Sequence, residues 1–126
     1  MFHIVLYQPC IAPNTGNIIR LIANNGCELH LIEPLGFDLD EKKVRRAGLD
    51  YHDLASVHRY KSFELFISQF KHNRLFLCTT KAEQFYTQPV YEPGDVFIFG
   101  SETSGVPQEI HELIDNQNKI KIPMKE

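Results

Sequence analysis

The chain has 126 residues, 43% of them hydrophobic, which is enough to bury one core in a single domain spanning residues 1–126. Its 13 Lys and Arg residues against 16 Asp and Glu residues give a net charge of −3, which excludes the global positive field of a nonspecific nucleic-acid binder. Any contact with nucleic acid must therefore come from a local patch.

The sequence also argues against membrane, disulfide and metal-binding classes. It has no apolar run as long as a membrane span, and its start, Met1-Phe2-His3, lacks the order of a signal peptide, so we expect a cytoplasmic protein with no membrane partner. Three cysteines at wide spacings argue against a disulfide framework and a zinc site. The six histidines show no metal-ligand spacing, so we predict no metal.

The first predicted elements are a strand and a helix joined by a loop that begins and ends with proline. Residues 4–7 form a short apolar run, and residues 9–13 form the loop. Asn14 is a suitable N-cap, and Asn25-Gly26 ends the helical pattern. Arg20 is the one charge in this helix, so it needs a partner. A lone helical arginine also commonly serves packing or a surface ion pair.

Four further strands are predicted downstream. Residues 28–33 and 118–122 alternate apolar and polar side chains at period two. Residues 74–79 and 95–99 are short, nearly all-apolar runs, as expected of strands that are covered on both faces in a parallel sheet.

Three further helices are predicted between or beside these strands. Residues 40–48 begin with acidic and end with basic side chains, and residues 62–70 place three phenylalanines on one apolar face. A last helix begins at Pro107, with Ile110, Leu113 and Ile114 on its apolar face. The alternation predicts an open α/β fold: a mostly parallel sheet with helices on both faces and a ligand crevice beyond the carboxyl ends of the strands.

The loop at residues 100–105 follows the apolar strand directly and has glycine at both ends. Glycine lets the main chain turn sharply and approach a ligand closely, and Glu102 offers a carboxylate. The loop lacks the spacing of a phosphate-binding loop. An ordinary strand-to-helix turn remains the alternative.

A basic patch offers a local site for nucleic acid. Lys42, Lys43, Arg45 and Arg46 could bind phosphates, and Tyr51, followed by His52, could stack on a base. A solvated helix face would have the same composition.

Three segments together carry a resemblance to a known family. They are Asn-Thr-Gly-Asn-Ile-Ile-Arg at 14–20, Phe-Gly-Ser-Glu-Thr-Ser-Gly at 99–105 and Ile-Lys-Ile-Pro-Met at 120–124. In this order they resemble the first motif, the second motif and the start of the third motif region of the SPOUT RNA methyltransferases. More narrowly, the chain resembles the small tRNA 2'-O-methyltransferases that act on cytidine or uridine 34.

The resemblance implies transfer of a methyl group from S-adenosylmethionine to the ribose 2'-hydroxyl of the wobble nucleotide in a tRNA anticodon stem-loop. It also implies a homodimer and a trefoil knot that binds the cofactor in a bent shape. Carried over residue by residue, the catalytic candidates are Arg20, Asn14, Asn17 and Glu102. The cofactor pocket would be lined by Cys78, Thr79, Gly100, Glu102, Gly105, Ile122, Pro123 and Met124.

Two departures from the family pattern bear on the expected activity. Ser104 stands where the family's second motif carries an arginine. The sequence stops at Glu126, whereas the family continues into a final helix, so we expect the third motif, that helix and a complete knot to be absent. A non-catalytic RNA-binding or dimerisation remnant of this family is the alternative function.

Overall fold

The structure is a computed structural model that describes residues 2–9, 26–35, 57–79, 82, 84–85, 87, 89–101 and 105–121. The described strands are β1 His3–Tyr7, β2 Glu28–Ile32, β3 Val57–Tyr60, β4 Leu75–Cys78, β5 Gln84–Phe85, β6 Val96–Phe99 and β7 Lys119–Lys121. The described helices are α1 Phe63–Ile67, α2 Gln108–Leu113 and a 3₁₀ turn at Asn116–Asn118.

All seven described strands belong to one parallel sheet with the order β3-β2-β1-β6-β4-β7-β5. Strand β6 lies between β1 and β4, although β4 precedes it along the chain. The prediction of an α/β fold with a parallel sheet is therefore confirmed. Strands β3 and β5 were not predicted; both are edge strands, and their short, partly exposed segments lack a continuous apolar pattern.

Alternation along the strands divides the core between the two faces of the sheet. On one face Val5, Ile32 and Ile98 pack with Phe66 of α1 and Ile110 of α2. The other face buries Leu6, Leu29 and Leu31. Both described helices pack on the first face, and the helices predicted at 14–25 and 40–48 lie outside the described residues.

Helix α1 is shorter than predicted. The hydroxyl of Ser62 caps it by accepting a hydrogen bond from the Leu65 N–H. The helix ends at Ile67 because the Gln69 and Phe70 amides bond three residues back in place of four. Phe66 is fully buried, and Phe63 and Phe70 pack against the same cluster, so the predicted aromatic core is confirmed. Helix α2 forms after Pro107 as predicted; of its apolar positions Ile110 and Ile114 are buried, and Leu113 is 54% exposed.

An ion pair anchors the amino ends of β4 and β6. Asp95, almost fully buried, accepts hydrogen bonds from Arg74 Nε at 2.9 Å and Arg74 Nη2 at 2.6 Å, and from the Glu92 N–H at 2.7 Å. Burial on its own would raise the pKa of Asp95, but the hydrogen bonds from Arg74 and Glu92 lower the pKa below its ordinary value.

His30 is the one buried histidine among the described residues. Its ring packs against both Phe66 and Phe70, with centroid distances of 5.2 and 5.1 Å. Burial, reinforced by His3 and His58, lowers the pKa of His30 to about 3, so the ring is neutral at physiological pH.

Within the described part of the chain, no helix is long and apolar enough to cross a membrane.

Candidate functional site

The carboxyl ends of three adjacent strands, β6, β4 and β7, bring together predicted cofactor residues that are distant in sequence. Cys78 ends β4 and is paired with Phe99 of β6 on one side and Ile120 of β7 on the other. The Thr79 N–H donates to the Ile120 carbonyl at 2.9 Å, which extends the pairing one residue beyond β4. Gly100 follows β6 at the same edge. Because neighbouring strands lie about 4.8 Å apart, these main-chain groups surround one small region.

A main-chain bridge closes the loop that follows β6. The Ser101 N–H donates to the Gly105 carbonyl at 3.0 Å, and the Gly105 N–H donates back to the Ser101 carbonyl at 2.9 Å. Ser101 is 8% exposed, and Gly105 has a φ of +67°, a conformation that favours glycine. The bridge therefore fixes both ends of the loop that contains Glu102.

Gly100 is required by a close main-chain approach. A Cβ at this position would lie 2.6 Å from the carbonyl carbon of Gly105 and 2.7 Å from its Cα. Sequence reasoning noted the glycines but not the Ser101–Gly105 bridge. The only sequence feature that pointed to this bridge was the glycine at each end of the loop, because every non-proline residue has the main-chain N–H and C=O groups that form such hydrogen bonds.

The side chain of Cys78 is not suited to nucleophilic chemistry. Burial raises the pKa of the Cys78 thiol to about 12, so the thiol stays protonated at neutral pH. Its neighbours at this edge, Thr79, Gly100, Ser101 and Gly105, also carry no ionised side chain. The Thr79 and Gly105 N–H groups already donate within the protein, so this edge can offer mainly carbonyl oxygens, which accept more than one hydrogen bond, to an uncharged part of a ligand such as a nucleoside.

The structure brings together Cys78, Thr79, Gly100 and Gly105 of the predicted cofactor set. The other predicted site residues lie outside the described residues: Asn14, Asn17, Arg20, Glu102, Ile122, Pro123, Met124, Lys42, Lys43, Arg45, Arg46, Tyr51 and His52. In the sequence, Glu102 directly follows Ser101 of the bridge, and Ile122 directly follows Lys121, the last residue of β7.

A separate cavity of about 430 Å³ lies beyond the carboxyl ends of β1 and β2, between α1 and α2. Tyr7, Ile32, Phe63 and Ile110 are among its lining residues. Its described lining contains none of the predicted cofactor residues.

Comparison with known proteins identifies relatives that match almost the whole chain. The SpoU rRNA Methylase family matches residues 1–126. A tRNA (cytidine(34)-2'-O)-methyltransferase of Aeromonas hydrophila is 52% identical over 124 residues, covering 98% of this chain and 80% of the relative.

Solved structures give a similar result. A structure described as giving insights into the 2-OH methylation of C/U34 on tRNA is 38% identical, with a TM-score of 0.87, and the match covers 98% of this chain and 80% of that one. An AdoMet-bound rRNA methyltransferase from Sinorhizobium meliloti has a TM-score of 0.82 at 19% identity, covering 99% of this chain and 48% of that one. At that identity the likeness shows the fold alone.

Proposed function

Since this chain belongs to the SpoU rRNA methylase family, we propose that it transfers a methyl group from S-adenosylmethionine to the ribose 2'-hydroxyl of a tRNA wobble nucleotide. The observation that carries the proposal is 52% identity, over 98% of the chain, to a tRNA (cytidine(34)-2'-O)-methyltransferase. The family resemblance predicted from the three ordered motifs is confirmed by the same relatives.

The carboxyl edge of β4 and β6 fits the proposed cofactor. S-adenosylmethionine supplies a sulfonium methyl group and carries an uncharged adenosine, which main-chain groups can recognise without an ionised partner. Main-chain groups of Cys78, Thr79 and Gly100 lie at this edge; strand pairing fixes Cys78 and Thr79, and the bridge between Ser101 and Gly105 fixes the loop that follows Gly100. We assign Glu102, Ile122, Pro123 and Met124 to the same pocket from the family motifs.

Arg20 is the proposed group that acts on the ribose. A 2'-hydroxyl is a weak nucleophile. Transfer of the methyl group to it therefore benefits from alignment of the hydroxyl with the methyl donor and from stabilisation of the developing oxyanion. A guanidinium stays charged at any physiological pH, so it binds an oxyanion or a phosphate well and is a poor proton acceptor. We therefore assign Arg20 to substrate positioning and oxyanion stabilisation, with Asn14 and Asn17 in support.

The basic segment at residues 42–46, with Tyr51 and His52, is the proposed surface for the anticodon stem-loop. Its four cations would contact phosphates, and the tyrosine would stack on an unpaired base. The family resemblance further supports a cytoplasmic homodimer in which Arg20 of one subunit lies near the methyl donor of the other.

The experiment uses this 126-residue chain and a tRNA carrying cytidine or uridine at the wobble position. We expect labelled methyl transfer to the unmodified transcript and none to a transcript with 2'-deoxyribose at that position. Arg20→Ala should abolish transfer while S-adenosylmethionine still binds by calorimetry. Arg59→Ala is the matched control, because the exposed Arg59 side chain is already paired with Glu33 at 2.7 Å.

Three outcomes would contradict parts of the proposal. Unchanged turnover in Arg20→Ala would overturn the role of that residue. Methylation of the 2'-deoxy transcript would overturn the ribose assignment. Absence of both cofactor binding and transfer, in a chain that still binds tRNA, would favour the RNA-binding remnant.

A further inference from the structure

A cluster of ionisable side chains lies at the amino end of the sheet, opposite the proposed cofactor edge. His3 and Glu28 are the first residues of β1 and β2 and are paired in register, and His30 is paired with Val5. Residues two apart in a strand share a face, so the side chains of His3, Glu28 and His30 lie on the same face of the sheet. This is the face that α1 covers.

The potential ligand atoms of these three residues converge. His3 Nδ1 lies 3.0 Å from His30 Nε2 and 3.5 Å from Glu28 Oε2, and all three ligand atoms lie within 4.8 Å of one another. Zinc binds imidazole nitrogen and carboxylate oxygen at about 2.0–2.2 Å, so two ligands of a tetrahedral ion stand about 3.4 Å apart. The two separations from His3 Nδ1, 3.0 and 3.5 Å, are close to that spacing, and the third lies within 4.8 Å.

We propose that His3, Glu28 and His30 form a binding site for a divalent transition-metal ion, with Zn²⁺ the best match to two imidazoles and one carboxylate. Imidazole and carboxylate ligands in this combination suit zinc in preference to calcium or magnesium, which take oxygen ligands. The site lies at the opposite edge of the sheet from Cys78 and Gly100. The ion therefore ties β1 to β2 and takes no part in the methyl transfer.

The surroundings of His30 orient it as a metal ligand. Its second ring nitrogen, Nδ1, lies 2.9 Å from the Tyr60 hydroxyl, so Nδ1–H can donate there and leave the Nε2 lone pair facing His3 and Glu28. Histidine ligands of metals usually donate their other N–H to an oxygen in this way. The Phe66 and Phe70 rings pack against His30 and hold its plane.

An ion can enter the site from solvent. The side chains of His3 and Glu28 are 15% and 36% exposed, whereas His30 forms the buried wall. His58, 44% exposed, places Nε2 at 3.8 Å from Glu28 Oε2 and stacks on the His30 ring at 5.1 Å. It is the nearest candidate for a fourth ligand, and water is the other.

A metal-free interpretation of the same geometry is a hydrogen-bonded chain in which His3 Nδ1–H donates to His30 Nε2. In that interpretation the Glu28 carboxylate is an ion-pair partner of His3 at 3.5 Å and of His58 at 3.8 Å. The two interpretations differ in one measurable property, namely saturable binding of one metal ion per chain.

The experiment is calorimetric titration of the tag-free, metal-free chain with Zn²⁺ at about pH 7.5, repeated with Co²⁺ monitored by visible absorption. We expect one ion per chain, with affinity at least ten-fold weaker in His3→Asn and in Glu28→Gln. Tyr60→Phe removes only the hydroxyl partner of His30, and loss of such a partner costs about 10–100-fold in affinity. His72→Asn, at an exposed position outside the cluster, should bind like the parent.

The variants are compared by circular dichroism and urea unfolding without metal, so that misfolded protein is not mistaken for lost binding. A metal-free parent that shows no saturable uptake would overturn the proposal. Equal affinity in parent, His3→Asn and Glu28→Gln would overturn it too. A thiolate-to-cobalt absorption band would place the ion at cysteine instead.

Discussion

Replacing Gly100 with alanine tests whether the bridged loop after β6 forms the proposed cofactor edge. The added Cβ would lie 2.6 Å from the Gly105 carbonyl carbon and 2.7 Å from its Cα, and 3.0 Å from the Val106 nitrogen. Carbon atoms pack at about 3.5–4.0 Å, so the loop must open by about 1 Å. All three neighbouring atoms belong to the main chain, so no side chain can rotate away to make room.

The magnitude follows from what the movement disrupts. Forcing one extra carbon into a well-packed position costs about 1–3 kcal/mol. Displacing Gly105 also weakens its two hydrogen bonds with Ser101, each contributing about 1 kcal/mol. Partial opening of the loop reduces the steric cost but weakens the hydrogen bonds further, so the two costs do not add in full. We therefore expect Gly100→Ala to lower the free energy of unfolding by about 2–3 kcal/mol.

The assay is urea unfolding followed by far-ultraviolet circular dichroism, with S-adenosylmethionine calorimetry on the same preparation. Gly26→Ala is the matched control: Gly26 has a φ of +73° but an added Cβ there would meet nothing within 4 Å, and it lies next to β2, away from the loop. Its cost is the left-handed strain alone, about 1–2 kcal/mol, with cofactor affinity unchanged. A Gly100→Ala protein with parental stability and affinity would refute the reasoning.

Three other predictions concern ionisable side chains. Because the pKa of Asp95 is lower in the folded than in the unfolded protein, its ion pair with Arg74 stabilises the fold above the unfolded pKa near 3.8, and this stability is lost as the pH falls through the folded pKa. Asp95→Asn should therefore reduce the loss of stability at acidic pH, measured by urea unfolding. An unchanged dependence on acidic pH would contradict this. Cys78→Ala should retain methyl transfer within about three-fold, because the protonated thiol takes no part in the reaction and the main chain of residue 78 is unchanged. A complete loss of transfer with cofactor still bound would contradict this. Lys42→Gln combined with Lys43→Gln should reduce the salt dependence of tRNA binding, measured by fluorescence anisotropy, by about one unit of log–log slope per lost phosphate contact; an unchanged slope would place the RNA elsewhere.

The strands were the part of the fold most open to prediction from the sequence. Strands β4 and β6 are interior strands of a parallel sheet, covered on both faces, so their side chains read as unbroken apolar runs. Strand β3 has exposed His58 and Arg59 at its centre, so its sequence lacks the apolar pattern from which a strand is predicted. The end of α1 was missed because helix termini depend on local hydrogen bonds, here the Ser68 hydroxyl donating to the Leu65 carbonyl.

The candidate site could likewise be predicted only in part. The sequence motifs assigned Gly100 and Gly105 to the candidate cofactor site, and glycine is the residue that a tight backbone approach requires. The exposure of Leu113 could not be predicted, because apolar periodicity shows which residues share a face and not how much of that face is covered. The six histidines showed no pattern along the chain, yet the fold places His3 and His30 in contact.

The sequence by itself determined the family, through three ordered motifs, and the local elements, through hydrophobic periodicity and glycine placement. Tertiary structure alone decided which elements are neighbours. Insertion of β6 between β1 and β4 places Cys78 beside Phe99, and the register of β1 on β2 places His3 beside Glu28. The physical reason is that strand pairing forms between residues tens of positions apart, where shared burial and main-chain hydrogen bonds select the register. Local side-chain patterns do not record that choice.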